Sequence, residues 1–273
     1  MKNMMSVDLE DYFCDLDHTR WEEFKPRVEE STQVLLELFK KYNVKATFFI
    51  LGYIAEKYPE LVKQIESEEH ELATHGYYHK DLRKITPNEF EDDLVKSINM
   101  IEKVSKSKVV GFRAPFFSIN KQTLPVLKII RKHLKYDSSI FPVRTPLYGI
   151  PNAPRVIYKP KFDNPLKHDE NEQFFEIPPS THSIPLIGNI PIAGGFHMRF
   201  LPLKYIMHGL RALNKQDHPI MFYIHPKDLD QDMPKIHEYA WHYYFGLKNA
   251  RKKFEMILQN FEFSSISRNF NFN

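Results

Sequence analysis

Cysteine and long apolar runs are scarce in this sequence. Cys14 is the single cysteine, so no internal disulfide can form and the composition fits a reducing compartment. No apolar run approaches the roughly 20 residues that a membrane-spanning helix needs, and the first residues lack the pattern of a signal peptide. These absences predict a cytoplasmic location without a membrane span, with any contact to lipid-borne substrate peripheral, at the inner membrane face.

An excess of charge of one sign is also missing. The 38 Lys and Arg residues nearly balance the 35 Asp and Glu residues, and the basic ones form no tract that could follow a phosphate backbone. We therefore expect no nucleic-acid partner. With 273 residues, of which 42% are hydrophobic, the chain can bury a sizeable core, and its length lies in the range where α/β barrels form one domain.

Short apolar segments alternate with amphipathic ones over the first two-thirds of the chain, which is the pattern of parallel β/α units. Strands are predicted at residues 4–9, 46–50, 71–74, 108–112 and 135–138, and helices at 29–42, 59–68, 87–105 and 121–133. Prolines and glycines then interrupt residues 141–199, which we interpret as a Pro-rich insertion within a single domain spanning 1–273. A helix at 202–213, a strand at 219–224 and a long helix from about 235 to 259 complete the predicted α/β fold.

Acidic residues accumulate at the end of the first predicted strand. Alternation along the strand places Asp8 and Glu10 on one face, opposite the apolar Val7 and Leu9. Asp11 joins them if the strand ends at Leu9. In a barrel these carboxylates would face the mouth, where active sites are built; the structural alternative is that they cap the following loop.

Two histidines four residues apart, His75 and His79, follow the predicted strand 71–74. At this spacing two imidazoles can converge on one metal ion. Thirteen histidines make chance pairs common in this chain, but the position past a strand end favours a functional role. Together with a carboxylate, the pair suits Zn²⁺ or another divalent transition metal.

Two further strand ends carry single polar groups. Arg113 follows the strand 108–112 and could hold a carboxylate in a bidentate pair, although a surface arginine is the ordinary interpretation. His225 ends the apolar strand 219–224, and a lone histidine in such a place is more often structural than catalytic. Four strand ends that all present polar groups make a common site the better hypothesis.

Five segments in order resemble the motifs of carbohydrate esterase family 4, the NodB-type polysaccharide deacetylases. These segments are residues 6–13, 74–79, 111–116, 136–139 and 223–226. Within the family the chain is most similar to the branch found in exopolysaccharide export gene clusters, with further similarity at 148–151, 176–180 and 243–263. The resemblance implies a distorted (β/α) barrel with about seven parallel strands. It also implies hydrolysis of N-acetyl or O-acetyl groups on a poly- or oligosaccharide, free or lipid-linked.

The resemblance also implies a role for each motif residue. Asp8 would be the general base that activates water at the metal, and Arg113 would hold Asp8 in place. His225 would protonate the leaving amine, with Asp137 orienting it. The metal, zinc in the first place with cobalt, nickel or manganese as alternatives, and the backbone N–H of Phe116 would stabilise the oxyanion.

One departure from the family pattern concerns the metal ligands. The family's first motif has two adjacent aspartates, base then ligand, but Leu9 occupies the second position here. His75 and His79 therefore need a different carboxylate, either Glu10 or Asp11, and strand alternation favours Glu10.

Substrate contacts are less specified by the motifs. Lys227 and Asp228 follow the fifth motif where the branch often has an aromatic residue and a glutamate. Within 141–199, Tyr148, Phe174 and Phe196 are candidates for stacking on sugar rings. Two alternatives to a deacetylase are an amide hydrolase of the same fold acting on a small ureide and an inactive sugar-binding relative.

Overall fold

The computed structural model describes residues 1–270 and 272. Its strands, in chain order, are β1 (Asn3–Leu9), β2 (Thr47–Ile50), β3 (Glu71–Thr74), β4 (Gly111–Phe112), β5 (Tyr136–Asp137), β6 (Phe175–Glu176), β7 (Thr181–Ile184), β8 (Gly188–Pro191), β9 (Met221–Ile224) and β10 (Phe263–Ser264). The helices are α1 (Val28–Lys41), α2 (Gly52–Lys57), α3 (Pro59–Ser67), α4 (Pro87–Val104), α5 (Leu127–His133), α6 (Gly195–Phe200), α7 (Leu203–Lys215), α8 (Leu247–Asn260) and α9 (Ser267–Phe270).

Seven parallel strands form the main sheet, in the order β9-β1-β2-β3-β4-β5-β6, and β10 pairs with the first residues of β1. The sheet curls so that the segment after β6 reaches the opposite edge, where the Ser180 N–H donates to the Met221 carbonyl of β9 at 3.0 Å. The predicted distorted barrel of about seven parallel strands is confirmed. Because all seven strands are parallel, their carboxyl ends lie at one rim of the sheet.

The two faces of β1 enter different parts of the core, as strand alternation predicts. Met5, Val7 and Leu9 pack with the helices in the outer core, whereas Met4 packs inside the curled sheet against residues such as Phe49. Ser6 and Asp8 share the inner side with Met4. The polar end of β1 therefore points into the barrel mouth.

The helices form where the sequence supplies both an apolar stripe and end signals. The longest, α4, begins at Pro87 with a capping box in which the Thr86 side chain and Glu89 exchange hydrogen bonds with each other's backbone. Its buried side chains, Phe90, Leu94 and Ile101 among them, lie on one face and cover the outside of the sheet. Over residues 1–270 and 272, no helix combines the length and apolar character needed to cross a bilayer.

The strand predicted at 108–112 is limited to Gly111–Phe112, and the helix predicted at 121–133 begins only at Leu127. Two further differences are larger. The stretch 141–199 is more than an insertion, because it contains β6 of the barrel sheet together with the antiparallel β7–β8 hairpin; at two residues, β6 is too short to show a periodic pattern. The long helix predicted from about 235 begins only at Leu247, since turns fill the preceding residues and Gly246 has φ +76°. A left-handed residue ends any helix that would pass through it.

Candidate metal centre and active site

Three candidate ligand side chains from two strand ends meet at the rim of the barrel. One ligand atom each from Glu10, His75 and His79 lies within 4.8 Å of the other two, and all three residues are buried. Glu10 directly follows β1, and His75 directly follows β3. His79 lies in the loop after β3, where a left-handed backbone with φ +53° turns the chain back. The loop conformation, which the four-residue spacing alone leaves open, thus brings the second imidazole to the first.

Both imidazoles are oriented by backbone carbonyls. His75 Nδ1 lies 2.7 Å from the Arg113 carbonyl, and His79 Nδ1 lies 3.0 Å from the Cys14 carbonyl. A carbonyl accepts only, so each Nδ1 carries a proton. The Nε2 atom of each ring faces the cluster. In His79 burial lowers the pKa, but the neighbouring Glu10 carboxylate outweighs burial and raises it, so its Nε2 becomes a free ligand atom only when a metal replaces the proton. Burial lowers the pKa of His75 to about 4, which keeps this ring neutral and able to act as a ligand.

The Glu10 carboxylate has the electrostatics of a cation ligand. Burial raises its pKa, but Lys227, whose Nζ lies 2.8 Å from Oε1, and His79 together outweigh burial and hold the pKa well below its ordinary value. Oε2 is buried without a hydrogen-bond partner among the described residues, although it lies 2.8 Å from His79 Nε2. A proton or a metal cation can satisfy two facing acceptors. Two imidazoles and a carboxylate are also the donor set of many divalent metal sites, so these residues fit a metal.

Asp11, the alternative metal ligand, has a different place. Its carboxylate accepts backbone N–H groups from Tyr12 at 2.8 Å, Arg27 at 2.8 Å and Val28 at 2.9 Å. It therefore ties the chain after β1 to the beginning of α1, the capping role that was the structural alternative for the acidic cluster. With its oxygens engaged in this way, the geometry brings Glu10 and not Asp11 to the two histidines.

Asp8 and Arg113 form a buried pair beside the cluster. Arg113 is fully buried and its Nη1 lies 2.6 Å from Asp8 Oδ1. The same nitrogen donates to the Ser6 hydroxyl, and Nε and Nη2 donate to the carbonyl and hydroxyl of Ser138. These bonds fix the guanidinium plane, and the guanidinium in turn fixes one oxygen of Asp8. The other oxygen, Oδ2, lies 3.7 Å from His225 Nε2 and is directed into the site.

His225 follows β9, and a carboxylate holds the side of its ring that faces away from the site. Its Nδ1 lies 2.8 Å from Asp228 Oδ2, and Asp228 Oδ1 accepts from Arg199 Nε at 3.0 Å. Burial lowers the pKa of His225, but the hydrogen bond and charge of Asp228 outweigh burial and raise it overall. Its Nε2 lies 3.6 Å from Glu10 Oε1. The imidazole therefore presents a proton-bearing nitrogen to the centre of the site.

The predicted pairing of Asp137 with His225 is corrected by this geometry. Asp137 accepts a hydrogen bond from the Ser139 hydroxyl and lies against Glu176, and burial raises the pKa of its carboxyl to about 6. Asp228 takes the position because the short 3-10 turn Pro226–Leu229 folds its carboxylate back onto the imidazole. The three-residue spacing from His225 to Asp228 was the sequence signal that could have identified this partner; nothing in the pattern pointed to Arg199.

Phe116 occupies the loop after β4 beside the candidate metal ligands. Its backbone is left-handed, with φ +57°, and its ring centroid lies 4.4 Å from that of His79. Within the described part of the chain its N–H has no hydrogen-bond partner. The loop is anchored by the Ala114 N–H, which donates to the Ser139 hydroxyl at 2.7 Å. The expected oxyanion role of this N–H is compatible with these surroundings and stays a prediction.

The three aromatic stacking candidates differ in accessibility. Phe174 is 5% exposed and packs in the core, so it is not available to a ligand and that expectation is wrong. Tyr148 is half-buried and stacks on Phe141 with ring centroids 5.6 Å apart. Phe196 is half-buried on α6 and stacks on Phe200 at the same separation, 5.6 Å. Only the last two can contribute to a surface.

Two family profiles match successive parts of the chain. The profile for polysaccharide deacetylase matches residues 21–132, and the domain of unknown function DUF3473 matches residues 138–271. The first includes His75, His79 and Arg113, and the second includes His225 with Asp228. The candidate site is thus built from both segments, with Asp8 and Glu10 preceding them.

Curated relatives resemble a little over a third of the chain. The peptidoglycan-N-acetylglucosamine deacetylase of Bacillus cereus is 35% identical over 95 residues, which is 35% of this chain and 34% of that protein. The peptidoglycan deacetylase of Helicobacter pylori is 35% identical over 106 residues, 39% of this chain and 36% of that protein. The chain thus matches about a third of the length of these relatives.

Solved structures share the fold over nearly the whole chain. A Mycobacterium smegmatis structure assigned to the polysaccharide deacetylases has a TM-score of 0.61 and 19% identity, covering 98% of this chain and 88% of that chain. An allantoinase has a TM-score of 0.60 and 13% identity, covering 94% and 82%. At such identities these two likenesses establish the fold alone. Residues 21–132 thus match the polysaccharide deacetylase family and residues 138–271 match DUF3473, and together with the curated relatives these matches are consistent with a carbohydrate esterase family 4 polysaccharide deacetylase.

Proposed function

We propose that this protein hydrolyses acetyl groups on amino sugars of a poly- or oligosaccharide, in a reaction that depends on a divalent metal. The observation that carries the proposal is the convergence of Glu10, His75 and His79 within 4.8 Å. Asp8 and His225 stand beside this group, 3.7 Å apart. An acid, a base and a metal-binding group in one buried cluster suit amide hydrolysis better than sugar binding alone.

The chain's own groups divide the proton transfers between them. Asp8 is the base that takes a proton from the attacking water, and its orientation depends on the four hydrogen bonds of the Arg113 side chain. His225 delivers a proton from Nε2 to the departing amine, which then leaves as the free amino sugar while acetate keeps the oxygen from water. Asp228, at 2.8 Å from Nδ1, favours the charged imidazolium and so readies the acid.

Negative charge that develops on the acetyl oxygen needs a positive or donating environment. The backbone N–H of Phe116 is our candidate donor, since its loop borders His79. Zinc is our candidate metal, and such an ion would act as a Lewis acid toward the acetyl oxygen and the nucleophile when bound by Glu10, His75 and His79.

Metal content and acetate release measured on the same samples test the proposal. With oligomers of N-acetylglucosamine as substrate, His75→Ala should lose metal and activity together, whereas His225→Ala should keep its metal and lose turnover. Equal metal loss in both variants, or normal turnover in His225→Ala, would contradict the assigned roles.

A small ureide, allantoin, serves as the competing substrate in the same assay. Acetate release with no turnover of allantoin supports the deacetylase. Turnover of allantoin without acetate release would replace it with an amide hydrolase of the same fold. Binding of the oligomers without acetate release, unchanged in Asp8→Asn, would indicate an inactive sugar-binding protein.

A further inference from the structure

A cluster of exposed aromatic side chains lies on the DUF3473 segment. Trp241 is 62% exposed, Phe200 49% and Phe245 44%, and the half-buried Phe196 extends the group. Their rings contact one another, with centroids 5.6 Å apart for Phe196–Phe200, Phe200–Phe245 and Trp241–Phe245. We call these four residues the aromatic rim. Contiguous exposed apolar surface of this kind marks a binding surface more often than chance exposure does.

The aromatic rim is continuous with the candidate site through one loop, residues 239–245. Within this loop Tyr239 and Tyr243 stack on each other, 4.0 Å between centroids, and the centre of the Tyr243 ring lies 6.0 Å from Lys227 Nζ. Lys227 contacts Glu10 at 2.8 Å. Trp241 and Phe245, on the same loop, belong to the exposed rim. A single loop therefore borders the proposed metal group on one side and carries the rim on the other.

A second connection runs through Arg199. Its Nε donates to Asp228, the partner of His225, and its Nη1 donates to the backbone carbonyls of residues 242, 243 and 245. The guanidinium also lies 5.9 Å from the centre of the Phe196 ring. The same buried arginine thus fixes the carboxylate behind the proposed acid and the loop that carries the rim. Only the side chains of Arg199 and Asp228 separate a ligand on the rim from His225.

We propose that the aromatic rim binds sugar rings of the glycan next to the acetylated residue, so that the site takes an oligosaccharide in preference to a single sugar. The proposal rests on the proposed function for the identity of the reacting residue. Pyranose rings present flat C–H faces that pack on aromatic side chains, and an aromatic surface at the border of a catalytic cleft provides such a subsite. The continuity of loop 239–245 with the site favours a glycan over a lipid bilayer, which would need no link to His225.

Tryptophan fluorescence provides a binding assay that is independent of activity. The chain has two tryptophans, and Trp21 is 1% exposed whereas Trp241 is 62% exposed, so a ligand on the rim changes the emission of Trp241. Titration with the β-1,4-linked hexamer of N-acetylglucosamine should shift or quench this emission, and the monomer should do so only at much higher concentration. The Trp241→Phe variant should lose the signal and retain binding measured by calorimetry.

Substitutions in the rim separate binding from chemistry. Trp241→Ala and Phe245→Ala should each raise the Kd and the KM for the hexamer by about tenfold, since a stacked ring is lost, and leave kcat for the monomer unchanged. Ile187→Ala is the matched control, because Ile187 is an exposed apolar residue, 70% accessible, on the turn between β7 and β8. It should leave both constants as in the wild type.

Three outcomes are informative about the rim. If hexamer binding depends on Trp241 but no acetate is released, sugar binding by the rim is supported and the deacetylase function is refuted. If acetate is released with the same KM for monomer and hexamer, and Trp241→Ala does not change it, sugar binding by the rim is refuted and the deacetylase function is supported. A response of Trp241 to vesicles of phosphatidylglycerol, with none to the hexamer, also refutes sugar binding by the rim and assigns this surface to a membrane.

Discussion

Asp11→Asn and Glu10→Gln form a pair of isosteric changes that should affect different properties. The first should lower the stability of the fold, and the second should abolish the response to metal. Asp11 accepts three backbone N–H groups that tie β1 to α1, two of them on one oxygen. An asparagine has one acceptor oxygen, so at least one N–H loses its partner and the amide nitrogen faces a donor. Hydrogen bonds to charged groups contribute roughly 1.5–3 kcal/mol each, so we expect a loss of about 2–4 kcal/mol in the free energy of unfolding.

The metal response separates the two residues. At about 2 °C per kcal/mol for a chain of this size, Asp11→Asn should lower the Tm by roughly 4–8 °C. Its Tm should still rise on addition of zinc as the wild type does, by an amount that corresponds to about 2.7 kcal/mol when zinc is at 100 times its Kd. Glu10→Gln should abolish this rise, because loss of a direct ligand should cost more than the roughly 10–100-fold in affinity lost with outer partners.

Differential scanning fluorimetry with and without zinc, together with calorimetric titration of the metal, measures both effects. His75→Ala is the control that lacks an undisputed ligand of the cluster. If Asp11→Asn abolished the zinc-dependent rise in Tm while Glu10→Gln retained it, the assignment of Glu10 to the metal would be refuted, along with the capping role of Asp11.

Three further predictions concern buried charges. Asp228→Asn should lower the pKa of His225, because Asp228 raises it, and should therefore move the alkaline limb of the pH–rate profile to lower pH; the same change at Asp137 should leave that limb in place. Burial raises the pKa of Asp137 to about 6 and that of Glu176 well above its ordinary value. The folded state thus retains protons that the unfolded chain releases, and stability is lost as pH rises from about 4 through 6. Glu176→Gln should flatten this dependence and raise the free energy of unfolding at pH 8 by about 1 kcal/mol, as urea titrations at several pH values will show. Arg113→Lys keeps the charge but cannot reproduce the four hydrogen bonds of the guanidinium, so it should reduce kcat at least about tenfold, with metal content unchanged.

The alternation of side chains along β1 could be predicted from the sequence because it depends on backbone geometry alone. It placed Asp8 and Glu10 on the same side as each other, and the structure directs both toward His225. The positions of His75 and Arg113 were predictable for a similar reason, since polar residues that follow buried parallel strands meet at one rim of the sheet. Local pattern and strand direction were sufficient for these four residues.

Contacts that depend on loop conformation could not be predicted from the sequence pattern. Asp137 is a motif residue at a strand end, yet Asp228 is the partner of His225, because a 3-10 turn and Arg199 position it. Asp11 adjoins Glu10 in the sequence but turns toward the N–H groups of α1. Whether a side chain reaches one group or another a few ångströms away depends on turns whose geometry neighbouring residues do not specify.

The sequence by itself determined the parallel β/α architecture, the face on which the carboxylates lie and the set of strand ends that carry polar groups. The tertiary structure decided which carboxylate meets the two histidines, which aspartate holds His225, and that residues 141–199 supply a barrel strand. It also brought the aromatic residues of α6 and loop 239–245 together beside the site. The physical reason is that periodicity records which way a residue faces, whereas contacts that depend on turn geometry or on distant segments are fixed only when the chain has folded.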